Sequence, residues 1–431
     1  MKLFRLSRPR FIGYKLLAME SPKVAPATSL ERGLSRSDAV HTLVACFLGW
    51  TLDAFDFFVL VFALPAIAVE FNRSVADIAF TITATLAMRP LGAVLFGWLA
   101  DRYGRRIPLM ANIIFYSVIE VLSGLAPSYR AFLILRALYG IGMGGEWGVG
   151  ASLAMEAVGP QSRGFFSGLL QEGYAVGYLL AAAAFFFVFP RFGWRALFFL
   201  GGLPALLTIY IRSKVPESRA WERTRPTTRE VVRAIRSNFA LLGYLVVLMT
   251  LMNFVSHGTQ DLYPTFLQKQ RGLDVRTVAT IAVIYNFGAL LGGLTFGFLS
   301  DRWGRRSAMA SAIALAAVLI PFWIYPSSLR LLTAGAFLMQ FMVQGAWGIV
   351  PAHLAELSPP QVRGLFSGLA YQSGVFFASF SAFAQALLAE RFGYASAMAG
   401  TAAVVMLTAM VVILLGSERA AAELSASEQL D

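Results

Sequence analysis

Asn253, His257, Asp261 and Thr265 recur every four residues in an otherwise apolar segment that begins near Ala240, and Gln260 falls beside His257. On a helix of about 3.6 residues per turn these groups form one polar stripe. The stripe holds hydrogen-bond donors, acceptors, a titratable imidazole and a carboxylate. Such groups are costly in hydrocarbon unless they face other helices or water. One reading is a polar seam that ties helices together. The other is a path for a polar, ionisable small solute that moves with a proton. A seam rarely needs both His and Asp, which favours the second reading.

Further charges sit deep in apolar runs. Arg89 lies about 13 residues into its run, near mid-membrane at 1.5 Å per residue. A guanidinium stays charged and forks two hydrogen bonds to a carboxylate. Arg89 either binds a substrate carboxylate or is held permanently by Asp53 or Asp56, at similar depth on the preceding run. Burial raises a carboxylate's pKa and a neighbouring Arg lowers it, so Asp53 and Asp56 are candidates to load and release a proton. His257 is a proton carrier, a hydrogen-bond donor to substrate, or a satisfied structural residue. Asp261, one turn away, can orient and charge its ring. Asn253 and Gln260 can bond a hydroxyl or keto oxygen next to a carboxylate, and Thr265 completes the stripe. Gln171, Glu172 and Gln372 are weaker candidates. Glu146 is either a second proton site or a partner for a loop. One His and one Asp on a helix make an incomplete metal shell, so no metal is expected.

The elements that must position these groups are membrane spans. The chain has 431 residues, 57% hydrophobic and only 14% charged, where a soluble domain is usually about a quarter charged. Its mean hydropathy is +0.65. Apolar runs of around 20 residues, each long enough to cross a ~30 Å hydrocarbon core, recur along its whole length. The expectation is an all-α polytopic membrane protein with twelve transmembrane helices in two six-helix bundles. The net charge of +12 is carried by short basic segments beside apolar runs. That pattern reflects membrane topology rather than nucleic-acid binding. Cys46, the only cysteine, excludes an intramolecular disulfide and reads as a packing residue. His41 and His353 fall near membrane edges, where no specific role is expected.

The boundaries expected are a basic arm over 1–38, a first bundle over 39–211, a polar linker over 212–237, a second bundle over 238–416 and a polar tail over 417–431. With both termini cytoplasmic, about 25 of the 36 Lys and Arg lie on the inner side and about nine on the outer side. The two halves repeat at an offset of about 200 residues. Gly97-Trp98-Leu99-Ala100-Asp101-Arg102-Tyr103-Gly104-Arg105-Arg106 returns as Gly297-Phe298-Leu299-Ser300-Asp301-Arg302-Trp303-Gly304-Arg305-Arg306. Arg163-Gly164 returns as Arg363-Gly364, Trp147-Gly148 as Trp347-Gly348, and Glu156 as Glu356. Two such units enclose a site between them and rock about it.

The repeated Gly-x-x-x-Asp-Arg-x-Gly-Arg-Arg, Arg136 with its following glycines, and Pro216-Glu217-Ser218 together resemble the major facilitator superfamily over the whole chain. The span-seven pattern Asn253, Ser256, His257, Thr259, Gln260, Asp261, Thr265 resembles the Jen-type lactate/pyruvate:proton symporters, within the sialate:proton symporter family, and no fixed position departs. The resemblance implies proton-coupled symport of short monocarboxylates by alternating access in a plasma (inner) membrane, by a chain functional as a monomer. It also points to a functional span-two Arg. Asp56 resembles the span-one Asp of sugar:proton symporters, which faces the span-four Arg, here Arg136. Asp56 and Arg136 are then a coupling pair, or a static buried ion pair. Gly97, Asp101, Arg102, Arg105 and Arg106, with Gly297, Asp301, Arg302, Arg305 and Arg306, read as a cytoplasmic gate whose charge pairs lock one state. The implied partners are a small carboxylate, protons and the lipid bilayer, without nucleic acid or cofactor.

Other readings are weighed beside this one. The same fold could take sialic acid or an aromatic acid. A non-transporting nutrient receptor would need a larger signalling tail. No catalytic constellation or nucleotide-binding loop supports an enzyme or an ATP-driven pump.

Overall fold

The computed structural model describes residues 35–419 and Leu424. Most of the expected basic arm, and most of the tail, lie outside the described residues. Among the described residues the regular structure is helical throughout.

Twelve spans follow in chain order. Spans one to four are single helices: Arg36–Glu70, Val75–Tyr103, Arg106–Gly124 and Tyr129–Ala157. Span five is broken into Arg163–Gln171 and Gly173–Phe187, and span six into Phe189–Leu200 and Pro204–Lys214. Two short helices, Arg219–Thr224 and Thr228–Ser237, occupy the linker. Span seven comprises Phe239–Gln260 and Tyr263–Lys269, span eight Val275–Trp303, and span nine Arg305–Ile324. Span ten comprises Leu329–Gly348 and Val350–Leu357, span eleven Arg363–Ala378 and Ser381–Phe392, and span twelve Tyr394–Leu415.

Local chemistry explains several boundaries. Ser74 and Asp77 close a capping box at the start of span two, at 3.0 and 3.1 Å. Asp274 accepts the amides of Arg276 and Thr277 at the start of span eight. Gly104 and Gly304 turn the chain at φ 106° and 85°, a region closed to side chains, which explains the glycine in each repeated loop.

Among the described residues, ten of the twelve spans are long and apolar enough to cross a membrane. The other two, four and eleven, sit innermost. Span four is buried from Gly142 to Met155, and Arg363–Gly368 of span eleven are buried as well. A helix wrapped by protein needs no lipid-facing apolar stripe. By contrast Phe186, Ile209, Val318 and Leu415 project outward and exposed, as lipid-facing residues do.

The two halves meet where small residues let backbones touch. Gly148 packs on Gly368, Gly168 on Gly293, Gly97 on Leu365 and Gly297 on Gly164. One sequence expectation is corrected here. The span-seven helix ends at Gln260, and Asp261-Leu262 form a turn before Tyr263-Pro264 starts a new helix. The stripe therefore does not run on one helix, and Thr265 belongs to the second piece.

Candidate functional site

Arg89, in the middle of span two, is 4% exposed, and its Nε and Nη2 have no hydrogen-bond partner. Asp53 on span one and Glu146 on span four lie within electrostatic reach of it, but neither is hydrogen-bonded to it. The permanent pair with Asp53 or Asp56 considered above is not formed. Glu146 meets no loop; it is buried against the backbone of Gly49 on span one. The position of Arg89 is fixed by Gly144, which lies directly against the Arg89 backbone where span four crosses span two.

From the other half, His257 also lies within reach of Arg89. Its Nδ1 stands 3.2 Å from Asp261 Oδ2, and the two side chains are 38% and 36% accessible. They are not packed into a seam. Tyr174 of span five is within electrostatic reach of Arg89, Asp53, Asp261 and Tyr371, so groups from spans one, two, five, seven and eleven converge. Aromatic rings floor this region. Tyr371 stacks on Trp147 at 4.0 Å between centroids, and Trp50 stacks on Tyr174 at 5.5 Å.

The rest of the span-seven motif is held by neighbours. Asn253 is 2% exposed and donates to the Met249 carbonyl at 2.8 Å. Gln260 Nε2 donates to Gln340 Oε1 of span ten at 2.7 Å, and Gln344 donates to Ser256 Oγ at 3.1 Å. Gln260 and Ser256 thus tie span seven to span ten, Asn253 bonds back to its own helix, and His257 and Asp261 stay open. Thr265 is half-buried on the far side of the turn. Gln171 accepts from Trp147 Nε1 at 3.3 Å, and both amide atoms of Gln372 are buried without partners.

The expected Asp56–Arg136 contact is replaced by another. Arg136 Nη2 donates to Glu120 Oε2 of span three at 2.7 Å and to Ser123 Oγ at 2.5 Å. Asp56 is fully buried with both oxygens unpartnered. Span three packs directly on span four, which brings Glu120 against Arg136.

At the face carrying the repeated loops, the halves are joined twice over. Asp101 accepts the amides of Gly364 and Leu365 at 2.9 and 2.8 Å, and Asp301 those of Gly164 and Phe165 at 2.8 and 3.1 Å. Glu156 pairs with Arg363 at 2.7 Å and with Arg105 at 3.2 Å; Glu356 pairs with Arg163 and Arg305, both at 2.9 Å. Arg105 and Arg305 also pair with Asp101 and Asp301. Glu217 accepts the Arg105 and Arg106 amides, and Glu418 repeats this for Arg305 and Arg306. Burial pushes the Glu217 carboxyl above its usual range, although the amides of Ser218, Arg105 and Arg106 pull it back.

Four members of the expected gate stand outside this junction. The Arg106 and Arg306 side chains donate to Arg212 O and to Ile413 and Leu414 O, which caps the ends of spans six and twelve within their own halves. Arg102 and Arg302 lie over the rings of Tyr103 and Phe298. His353, expected at an unremarkable edge, is buried on span ten with Glu356, Glu418, Arg305 and Arg306 around it. His41 bonds Tyr210 Oη at 2.6 Å.

Sequence reasoning missed Glu120, Ser123, Tyr174, Tyr371, Gln340 and Gln344. A lone carboxylate in the apolar run Ile113–Leu125 was signal enough for Glu120. The two glutamines sit in the membrane-spanning run of span ten and carry a weaker signal of the same kind.

The family model of the Major Facilitator Superfamily matches residues 46–279 and again 248–430, once for each half of the repeat. A carboxylic acid transporter protein homolog of Saccharomyces cerevisiae is 30% identical over 80% of this chain, and the chain spans 61% of that protein's length. The sialic acid transporter NanX of Escherichia coli is 31% identical over 77% of this chain and 83% of its own. The solved structure of the proton:xylose symporter XylE superposes with a TM-score of 0.71 over 90% of this chain and 98% of that one, at 18% identity. On its twelve spans, its twofold repeat and these matches, the chain belongs to the Major Facilitator Superfamily, a family of transporters and not of enzymes.

Proposed function

We propose that the protein is a secondary active transporter that carries short monocarboxylates of the lactate or pyruvate type together with protons. The observation that carries this reading is Arg89: a buried guanidinium with two unmade hydrogen bonds, aimed at the region where His257, Asp261 and Tyr174 converge. A guanidinium left unpaired in a low-dielectric setting calls for an anion, and a carboxylate matches its fork. Relatives named for carboxylic acid and sialic acid support an acid as cargo.

In this reading Arg89 binds the carboxylate. His257, Asp261, Asn253, Gln260 and Thr265 contribute from the second half, bonding the α-oxygen or lining the path. Asp53, Asp56, Arg136 and Glu146 carry the proton function in the first half, with His257 facing them. The Asp101/Arg105 and Asp301/Arg305 junction, with Gly97 and Gly297 at the crossing, is the cytoplasmic gate in its closed state. Arg102, Arg106, Arg302 and Arg306 support the surrounding helix ends. The basic face is cytoplasmic by the excess of Lys and Arg there, the membrane is the plasma (inner) membrane, and one chain suffices.

Sialic acid as cargo is the second reading, favoured by the NanX likeness. Purified protein in liposomes, given labelled lactate, pyruvate, acetate or sialic acid with and without a pH gradient, tests both. Lactate or pyruvate accumulation that needs the gradient supports the first. Sialic acid accumulation alone replaces it with the second.

A further inference from the structure

One guanidinium and two carboxylates meet where spans one, three, four and six come together. Arg136 donates through Nη2 to Glu120 and Ser123, while its Nε and Nη1 are buried without a partner. Both oxygens of Asp56 and the Oε1 of Glu120 are buried without a partner. Gly201, in the break of span six, brings them onto one spot: a Cβ there would lie 2.6 Å from Asp56 Oδ1 and also against Glu120 Cγ. Asp56 faces Glu120, Asp53 and Arg136, and the hydroxyls of Tyr116 and Tyr139 face it in turn. Beyond them, Asp53 faces Arg89 and Glu120, and Glu146 faces Asp53 and Arg89.

Four buried carboxylates thus share two guanidiniums. Two uncompensated negative charges in hydrocarbon would be prohibitive, so protons must neutralise the difference. Within the Asp56–Glu120–Arg136 trio, one guanidinium neutralises one carboxylate and the other stays as the acid.

We infer that Glu120 is a second carboxylate of the proton-carrying site, and that Asp56 and Glu120 alternate as the partner of Arg136. Whichever carboxyl is released from the guanidinium carries the proton. In the state seen here Glu120 holds Arg136 and Asp56 is the acid. When Asp56 loses its O–H proton to water, its carboxylate draws Arg136 away from Glu120, and Glu120 takes the next proton from water. One proton enters and one leaves, and no other covalent bond changes. Ser123 is a positioning residue that biases Arg136 toward Glu120. This inference rests on the proton-symport reading above.

The test uses purified full-length protein in liposomes, with labelled lactate and a pH-sensitive dye trapped inside. A one-unit pH gradient sustains about a tenfold accumulation through one proton. In Glu120→Gln the ratio is expected to fall to about one and lactate-driven proton movement to vanish, while lactate–lactate exchange persists. Glu120→Asp is expected to restore proton movement in part. Ser123→Ala, which removes no titratable group, is expected to move the midpoint of the uptake pH profile, because Arg136 loses its bias toward Glu120 and the proton is redistributed between Asp56 and Glu120. Coupled accumulation in Glu120→Gln equal to the wild type overturns the inference alone. Should Glu120→Gln not fold, an unmoved midpoint in Ser123→Ala overturns it. Wild-type protein that carries lactate without protons overturns both this inference and the symport reading.

Discussion

The Asp101 carboxylate on span two accepts the amide of Gly364 on span eleven at 2.9 Å, and its repeat mate Asp301 holds Gly164 in the same way at 2.8 Å. Each carboxylate joins one half to the first turn of a helix in the other. Backbone N–H groups there have no partner inside their own helix, so a carboxylate supplies both a charge and an acceptor. Opening this face must break both links together with the Glu156–Arg363 and Glu356–Arg163 pairs.

Asp101→Ala is therefore expected to favour the open form. Loss of a charge-assisted acceptor for two buried amides costs about 1.5–3 kcal/mol, a shift of roughly 10- to 100-fold in the closed-to-open ratio. A cysteine placed at Ala93, buried beside Gly368 across the interface, reports it. In a Cys46→Ala background its maleimide labelling is expected to rise by a comparable factor. Asp301→Ala is expected to act in the same direction, because the two links are equivalent by the repeat.

Arg89 yields the prediction on affinity. Arg89→Lys keeps the charge but loses the planar fork. Removing one charge-assisted bond to a carboxylate is worth about 1.5–3 kcal/mol, so KM for lactate is expected to rise roughly 10- to 100-fold. Arg89→Ala is expected to abolish uptake. Folding should survive in both, since no ion pair is broken. Unchanged KM in Arg89→Lys would remove the carboxylate-binding role.

His257 and Asp261 stand one helical turn apart at the C-terminal end of the span-seven helix, where the Asp261 amide donates to the His257 carbonyl at 3.0 Å and the two side chains meet at 3.2 Å. Asp261→Asn leaves the ring without its anionic partner. Uptake at high pH is expected to fall more than uptake at low pH, since the carboxylate no longer favours the protonated ring as protons become scarce. His257→Gln is expected to flatten this dependence. A pH series of initial uptake rates for the two variants, each compared with wild type, measures it.

The fold was legible because a bilayer demands long apolar runs, and because the repeat is written into the residues that join the halves. Asp101 and Asp301, or Glu156 and Glu356, stand 200 positions apart and make matching bonds. The site was legible only where polarity contradicts its surroundings, as at Arg89, Asp53 and Asp56. Partner choice was not. Whether Arg136 meets Asp56 or Glu120 depends on which neighbouring span packs on its face, and periodicity within one helix is silent about that. The break at Asp261 was hidden for a similar reason. Pro264 signals a helix start, but the polar stripe on either side suggested continuity. The asymmetry between the halves was readable and informative. Asp53, Asp56, Arg89, Glu120, Arg136 and Glu146 have Asn253, Ser256, Ala289, Ile320, Ala336 and Ala346 at the corresponding places. Ionisable groups are concentrated in the first half, and at the same places the second half has one amide, one hydroxyl and four apolar side chains.

Gly144 ties the packing to the site. Its missing side chain faces the backbone carbonyl of Arg89, and a Cβ there would overlap that carbonyl. Neither backbone can rotate away, because both helices continue for turns on each side. Gly144→Ala must then push span two from span four, and Arg89 moves with it. Overpacking of this kind typically costs about 1–3 kcal/mol. The consequence for transport is expected to be larger than for stability, because displacing a binding group by about 1 Å can lower a rate by roughly a hundredfold. Gly400 on span twelve has open space where its Cβ would stand. Gly400→Ala is expected to leave uptake unchanged and to raise thermal stability slightly, since alanine is the better helix former by about 0.5–1 kcal/mol. The contrast separates close approach from helix propensity. Equal effects of the two substitutions on lactate uptake would show that the Gly144 contact does not place Arg89.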